Sequence, residues 1–184
     1  MKKIMLADLI KDIREDLILK AMEQFQLTRN DAEEFVDNYP NEADWPQVAD
    51  VAEALGVDIM DVQDIDVEGI QSIWDMGGSK GKSYTEIKTS MGKAFIYYSL
   101  GSYYLLLIFN NGNPANYPIT RSDMDELYSP GSLGNTYNEK FRDNDKYSDI
   151  PGAWGCIGPD PDKPKRLATP EDKAKLPKDL QDYI

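Results

Sequence analysis

The chain has 184 residues, 41% hydrophobic and 10% aromatic, with 33 acidic side chains against 20 basic ones and a net charge of −13 at neutral pH. That is enough apolar chain for one domain or two small ones with a real core, so disorder throughout is excluded. The absence of histidine removes imidazole general bases, Ser-His and Cys-His nucleophile pairs and the commonest zinc ligand, and a single cysteine, Cys156, removes intramolecular disulfides and cysteine-built metal sites.

Read in chain order, the first half is helical. Leu6, Leu9, Ile10, Ile13, Leu17, Ile18 and Met22 recur at helical spacing opposite Asp8, Lys11, Arg14 and Lys20, which predicts one amphipathic helix over residues 3–26. Thr28, with Asp31 three residues on, is expected to cap a second helix that Tyr39-Pro40 ends. Asp44 is expected to cap a third, with Pro46 in its first turn, Val48, Val51, Ala52 and Leu55 facing inward, and Gly56 stopping it. Residues 58–75 read two ways. Ile59, Val62, Ile65, Ile70 and Ile73 fit a helix, whereas Asp64 to Glu68 alternates like a strand; the expectation is a helix from near Asp58 with a break around Gly69.

The character changes at Met76-Gly-Gly-Ser-Lys-Gly-Lys-Ser83, a basic, glycine-rich stretch read as a boundary or hinge. YTEIKTS, KAFIYYSL and YYLLLIFN follow as strands split by Met91-Gly92 and by Gly101-Ser102, the second break being a two-residue hairpin signal. A short fourth strand is expected at Ala115–Ile119 and a short helix capped by Ser122 through Tyr128. Residues 129–168, rich in Gly, Pro, Asp and Asn, are expected to be mostly irregular, and Thr169-Pro170-Glu171 to start a last helical segment interrupted by Pro177. The expected fold class is α+β: an N-terminal helical bundle followed by a small antiparallel β-meander with a loop-rich C-terminal region. The expected division is an acidic helical domain over 1–76, a linker or hinge over 77–83, and a sheet domain over 84–184.

Between Asn30 and Ser79 lie fourteen acidic residues and no Lys or Arg, so that window carries −14 while the rest of the chain, 20 bases against 19 acids, is nearly neutral. A block of one sign projects a field that repels polyanions and draws in basic partners. Carboxylates two apart on a strand lie ~6.6 Å apart, and those three or four apart on a helix lie about 5–6 Å apart, so this block can present regular negative charge much as a phosphate backbone does. The candidate partner-binding residues are Asp50, Glu53, Asp58, Asp61, Asp64, Asp66, Glu68 and Asp75. The expected partner is a basic protein surface of the kind found on nucleic-acid-binding enzymes. Direct binding to duplex DNA and to membranes is not expected, and no catalytic residue, cofactor or metal is assigned. The apolar stripe of the first helix and the Tyr-rich hairpin each offer a homodimer seam.

TRNDAEEFVDNYP…ADWPQVADVAEALGVDIMDV, about residues 28–63, resembles the helix-turn-helix of the Cro/phage-repressor (XRE) type, whose closing helix often ends in a pattern similar to Ala52-Glu53-Ala54-Leu55-Gly56-Val57. The chain departs from that family where function resides. The stretch from Thr28 to Pro46 is short for two middle helices, and Asp31, Glu33, Glu34 and Asp37 occupy the DNA-facing positions, where phosphate contact needs donors or cations. The resemblance therefore implies a helix-turn-helix shape that has given up DNA binding. In general character, length and charge together, the chain is also similar to the small acidic phage and mobile-element proteins that block CRISPR nucleases or restriction enzymes. The alternatives carried beside that reading are a repressor-like regulator or assembly module, whose only DNA contact would be Lys2, Lys3, Lys11, Arg14 and Lys20 on the first helix, and an enzyme using carboxylates or Tyr.

Four weaker patterns are set aside. Asp64 to Asp75 matches a calcium-binding EF-hand loop at several positions, but Gln71 replaces the packed aliphatic and Asp75 the bidentate Glu. Gly77-Gly-Ser-Lys-Gly81-Lys82-Ser83 is similar to a phosphate-binding P-loop, but Met76 stands at the first glycine and the strand follows instead of preceding. Tyr97, Tyr98, Tyr103, Tyr104 and Phe109 could stack bases, but alternation sends about half of them into the core. Cys156 has no neighbouring His or close Lys to lower its pKa and is read as a small packed residue. The longest apolar run, Tyr103–Phe109, is too short to cross a bilayer, and MKKIMLADLIKDIRED becomes charged too soon for a signal peptide, so a cytoplasmic location is expected.

Overall fold

The computed structural model describes residues 5–77, 81–129, 133–142, 144–157 and 166–184, and divides the chain into two compact units, Met1–Val67 and Glu68–Ile184. The fold is α+β, with helices first and an antiparallel sheet after them. The division falls after Val67, earlier in the chain than the sequence-read boundary, and residues 78–80 of the glycine-rich linker lie outside the described residues.

In the first unit α1 (Leu6–Phe25), α2 (Arg29–Asn38) and α3 (Trp45–Leu55) are followed by a 3-10 helix, Ile59–Asp64. Thr28 caps α2, its hydroxyl accepting from the Asp31 N–H at 3.2 Å. Asp44 occupies the cap position of α3 but makes no side-chain cap bond; Asn41 instead caps a preceding 3-10 turn, Glu42–Asp44, so the acid expected to hold this helix is exposed. Gly56 closes α3 in the left-handed region, φ 65°, with its N–H on the carbonyls of Ala52 and Glu53. The core is aromatic. Phe25, Phe35 and Trp45 meet edge-on or tilted, with ring centroids 5.1 to 5.8 Å apart, and the Trp45 indole donates to the Tyr39 carbonyl at 2.9 Å.

The expected helix from Asp58 with a break at Gly69 is corrected. Only one 3-10 stretch forms after Asp58; the break comes at Ile65–Asp66, and α4 (Val67–Gly77) runs straight through Gly69. Gly69 is buried there together with Ile70, Ile73 and Trp74, and the packing of that face outweighs the ~1 kcal/mol that an interior glycine costs a helix.

In the second unit β1 (Tyr84–Thr89), β2 (Gly92–Ser99), β3 (Ser102–Phe109), β4 (Pro114–Ile119) and β5 (Trp154–Gly155) form one antiparallel sheet in sequence order. Residues Ala94–Tyr98 of β2 are buried without interruption because both faces of the sheet are covered, which is why these strands read as continuous apolar runs. One face packs Phe95, Tyr97 and Leu106 against Trp154, Leu176 and Leu180. On the other, Tyr117 meets Tyr137, Phe141 and Tyr147 with centroids 5.0 to 6.1 Å apart. Those three aromatics come from the stretch expected to be irregular. After α5 (Arg121–Tyr128), it contains α6 (Leu133–Thr136), which continues as a π-turn Tyr137–Phe141, and a 3-10 turn Asp145–Ser148, so burial of spaced aromatics organises a segment whose composition favours loops.

Two local expectations shift by a residue or two. The β2–β3 turn is Leu100-Gly101, with both φ angles positive at 49° and 83°, because Ser99 pairs with Ser102. The helix α5 is capped by Thr120 in a capping box with Asp123, each side chain taking the other's backbone N–H at 3.0 to 3.1 Å; Ser122 lies inside the helix. The last helix, α7 (Pro170–Lys175), starts at Thr169 as expected, and Pro177 precedes a final 3-10 stretch, Lys178–Tyr183.

Candidate functional site

The sequence shows fourteen carboxylates with no cation among them, and the fold neutralises part of that block from outside it. Arg14 on α1 reaches Asp37 on α2 at 3.0 Å, Lys20 reaches Glu42 at 3.0 Å, and Arg29 holds both Glu33 at 3.1 Å and Glu15 at 2.7 Å. The hydrogen bond from Arg29 holds the Glu15 carboxyl below the usual range. Exposed pairs of this kind contribute little to stability, about 0–1 kcal/mol each, but they cancel charge. Two of the five cations proposed for a DNA-facing first helix, Arg14 and Lys20, are thus engaged with acids of the block, while Lys2 and Lys3 lie outside the described residues.

Further along the chain come the remaining acids of the first unit. On α3 Glu53 is exposed and Asp50 half-buried. The 3-10 helix then carries Asp61 and Asp64, both exposed, with Asp58 at its cap accepting from the Met60 N–H at 2.9 Å. Among the described residues, no ion pair involves Glu53, Asp58, Asp61 or Asp64. A 3-10 helix repeats every three residues with a rise of about 2 Å, so Asp61 and Asp64 fall on one side roughly 6 Å apart, with Asp58 at the extended cap residue just before the helix and Val62 buried. The Asp64 charge is felt inward: burial first, and this carboxylate second, push the Tyr39 phenol above its usual value.

The other candidates separate from these three. Asp66 is half-buried in the short link between the 3-10 helix and α4. Glu68 and Asp75 are on α4, in the second unit. Glu68 is 82% exposed with its carboxylate 3.7 Å from Arg121, and Asp75 accepts from the Gln71 amide at 2.8 Å. The alternating strand considered for Asp64–Glu68 does not form, so the structure brings two of the eight candidates, Asp61 and Asp64, onto one short element, with a third, Asp58, at its cap. What sequence reasoning missed was the neutralising role of Arg14, Lys20 and Arg29. Only the Arg29–Glu33 pair, four apart on one helix, leaves a local signal in the sequence.

The calcium-loop pattern does not make a loop. Its fourth position, Val67, already begins α4, so Glu68, Gly69 and Asp75 stand on a helix, and among the described residues no cluster of three or more acidic or cysteine side chains is placed to hold a metal. The tyrosines of β2 and β3 pack on one another: Tyr97 stacks on a half-buried Tyr104 at 5.1 Å and Tyr98 meets Tyr103 edge-on at 5.3 Å, and Tyr97, Tyr98 and Tyr103 are buried. Cys156 is half-buried, with its backbone N–H on the Pro114 carbonyl. A cavity of about 330 Å³ between β1 and α5–α6 is lined by Ile87, Lys88, Leu127, Tyr128 and Leu133. None of the described residues lining it is a carboxylate, and the Tyr128 hydroxyl, although without a hydrogen-bond partner among the described residues, is buried. Among the described residues no helix is long and apolar enough to cross a membrane. Compared with known proteins, the chain matches no family model, no curated protein and no solved structure.

Proposed function

We propose that this protein is a non-enzymatic interaction protein whose acidic surface occupies a basic, nucleic-acid-binding surface of another protein, in the manner of the small acidic inhibitors of CRISPR or restriction nucleases. The observation that carries this reading is the exposed group Asp58, Asp61, Asp64: one carboxylate at the cap of a short helix and two a period apart on it, with no ion pair among the described residues, beside a region where Arg14, Lys20 and Arg29 do cancel their neighbours. Evenly spaced negative charge is what a cationic groove built for phosphates recognises. The exposure of these side chains keeps the charge available, and the absence of histidine is in keeping with binding instead of proton transfer.

The test uses the protein as bait in a lysate carrying defence nucleases, followed by affinity measurement with the captured partner. The variant Asp58→Asn/Asp61→Lys/Asp64→Lys changes the local charge by five units, while the asparagine amide oxygen still serves as the cap acceptor. Close charge pairs at interfaces are worth about 1.5 kcal/mol or more, so binding weakens at least tenfold to a hundredfold, and duplex DNA competes with the wild type for the partner. Equal binding of the folded variant at low salt, or simultaneous binding of DNA and this protein, refutes the reading.

A further inference from the structure

The sheet of the second unit has two edges, and they are finished differently. At β5, only two residues long, the Gly155 N–H donates to the Arg166 carbonyl at 2.6 Å, so returning chain lies along that side. At the other edge β1, six residues long, pairs with β2 alone. The Tyr98 N–H donates to the Ser83 carbonyl, which makes Ser83 and Tyr98 a hydrogen-bonded pair and, by alternation along the register, Thr85–Ile96, Ile87–Ala94 and Thr89–Gly92 as well. The main-chain groups of Glu86 and Lys88 therefore point away from β2, and among the described residues no backbone group bonds to them. Open donors and acceptors along an edge strand are a template for another extended chain.

Three side chains specify which chain. Glu86 and Lys88 are exposed on one face and make no ion pair among the described residues, and Lys88 stands directly opposite Lys93, whose ammonium lies over the Tyr183 ring at 4.8 Å. Like charges opposite each other are unfavourable, so Lys88 calls for a carboxylate on its open side. Ile87, on the other face, is half-buried and lines the cavity of about 330 Å³ together with Leu127 and Leu133. A strand laid antiparallel along this edge thus meets it best with an acid opposite Lys88, an aliphatic residue opposite Ile87 and a base opposite Glu86, an order that reads acid, aliphatic, base from its own N-terminus. Glu86-Ile87-Lys88 is that sequence. We propose that β1 is the seam of a homodimer in which the β1 strands of two copies pair antiparallel about a two-fold axis at Ile87, continuing one five-stranded sheet into the other. Glu86 of each copy then exchanges main-chain bonds with the partner's Lys88 and faces its ammonium, while the two Ile87 side chains meet at the cavity face. Moving the axis to Glu86 or to Lys88 sets like charge against like, so charge fixes the register. The second unit, with 14 bases against 16 acids, carries only −2 of the chain's −13, and so opposes self-association little.

Sedimentation velocity on the full chain from about 1 to 500 μM, concentrations that bracket a dissociation constant in the micromolar range, tests this. The expected species has twice 20.8 kDa, and amide exchange at Glu86 and Lys88 slows as concentration rises. Glu86→Lys turns both cross-strand ion pairs into repulsions and weakens the dimer about tenfold or more, whereas Glu86→Lys/Lys88→Glu, which exchanges the two signs, restores it. Both positions are exposed, so circular dichroism and thermal unfolding of the variants stay close to wild type. In a Cys156→Ser background Ile87→Cys forms an intermolecular disulfide on mild oxidation, because the axis places the two positions in a non-hydrogen-bonded pair with Cα atoms about 4.5 Å apart. A chain that stays monomeric to the top of the range and leaves the edge to another protein's strand, a dimer that Glu86→Lys does not weaken or that the exchange of signs does not restore, or the absence of the Ile87→Cys disulfide each overturns the proposal.

Discussion

Asp172 is the most informative single residue for the stability of the second unit. It is 5% exposed, yet its carboxylate is occupied: one oxygen accepts from the Thr169 N–H and hydroxyl, both at 3.0 Å, with Arg166 at 3.5 Å, while its own N–H donates to the Thr169 hydroxyl at 3.1 Å. This capping box starts α7, which leads into Leu176 and Leu180 on the sheet. Asp172→Ala leaves the Thr169 N–H without its acceptor in a partly buried setting; a lost cap costs about 0.5–2 kcal/mol and an orphaned donor about 1–3 kcal/mol, overlapping terms that together predict roughly 2 kcal/mol. Asp172→Asn keeps an acceptor oxygen but not the charge, and is expected to lose about 1 kcal/mol. The pH dependence follows from the direction of the shift. Burial by itself raises the Asp172 pKa, but the Thr169 hydrogen bonds and the nearby Arg166 and Lys175 lower it more, so the folded value lies below the unfolded one, near 3.9 for an ordinary aspartate. Its contribution is therefore complete above about pH 4 and lost as pH falls through the folded value. Urea unfolding of wild type and both variants, at pH 7 and in steps below pH 4, should show the wild type's margin over Asp172→Asn constant from pH 7 down to the carboxylate range and shrinking only beneath it. A margin absent at pH 7, or one that does not narrow in acid, refutes the assignment.

Two turn positions on β2 give further checks. Leu100 sits 79% exposed at φ 49° in a two-residue hairpin turn before Gly101, a position that costs a residue with a Cβ about 1 kcal/mol and that Asn tolerates; Leu100→Asn should raise stability by about 0.5–1 kcal/mol in thermal unfolding. Gly92, at φ 143°, leaves no room for a side chain, since a Cβ would stand 2.0 Å from the Ile108 carbonyl oxygen; Gly92→Ala should cost more than about 2 kcal/mol in the same assay, and a neutral result would mean that the β2–β3 register is wrong.

Local chemistry made the helices and strands legible. Thr28 and Thr169 cap helices because a hydroxyl two or three residues ahead of a free N–H needs no distant partner, and Gly56 ends α3 because left-handed backbone needs no Cβ. The meander followed from apolar runs split by short polar breaks. What the sequence did not carry was contact across distance. Tyr137, Phe141 and Tyr147 turn a Gly- and Asn-rich stretch into ordered turns only because Tyr117 on β4 is there to receive them. The surface charge was decided the same way. The linear count of fourteen acids is fixed by composition, but Arg14, Lys20 and Arg29 lie outside that window and reach Asp37, Glu42 and Glu33 through helix packing and, for Arg29, one turn of α2. A carboxylate's field depends on its neighbours in space, so only the fold separates the acids that are cancelled from Asp58, Asp61 and Asp64, which make no ion pair among the described residues.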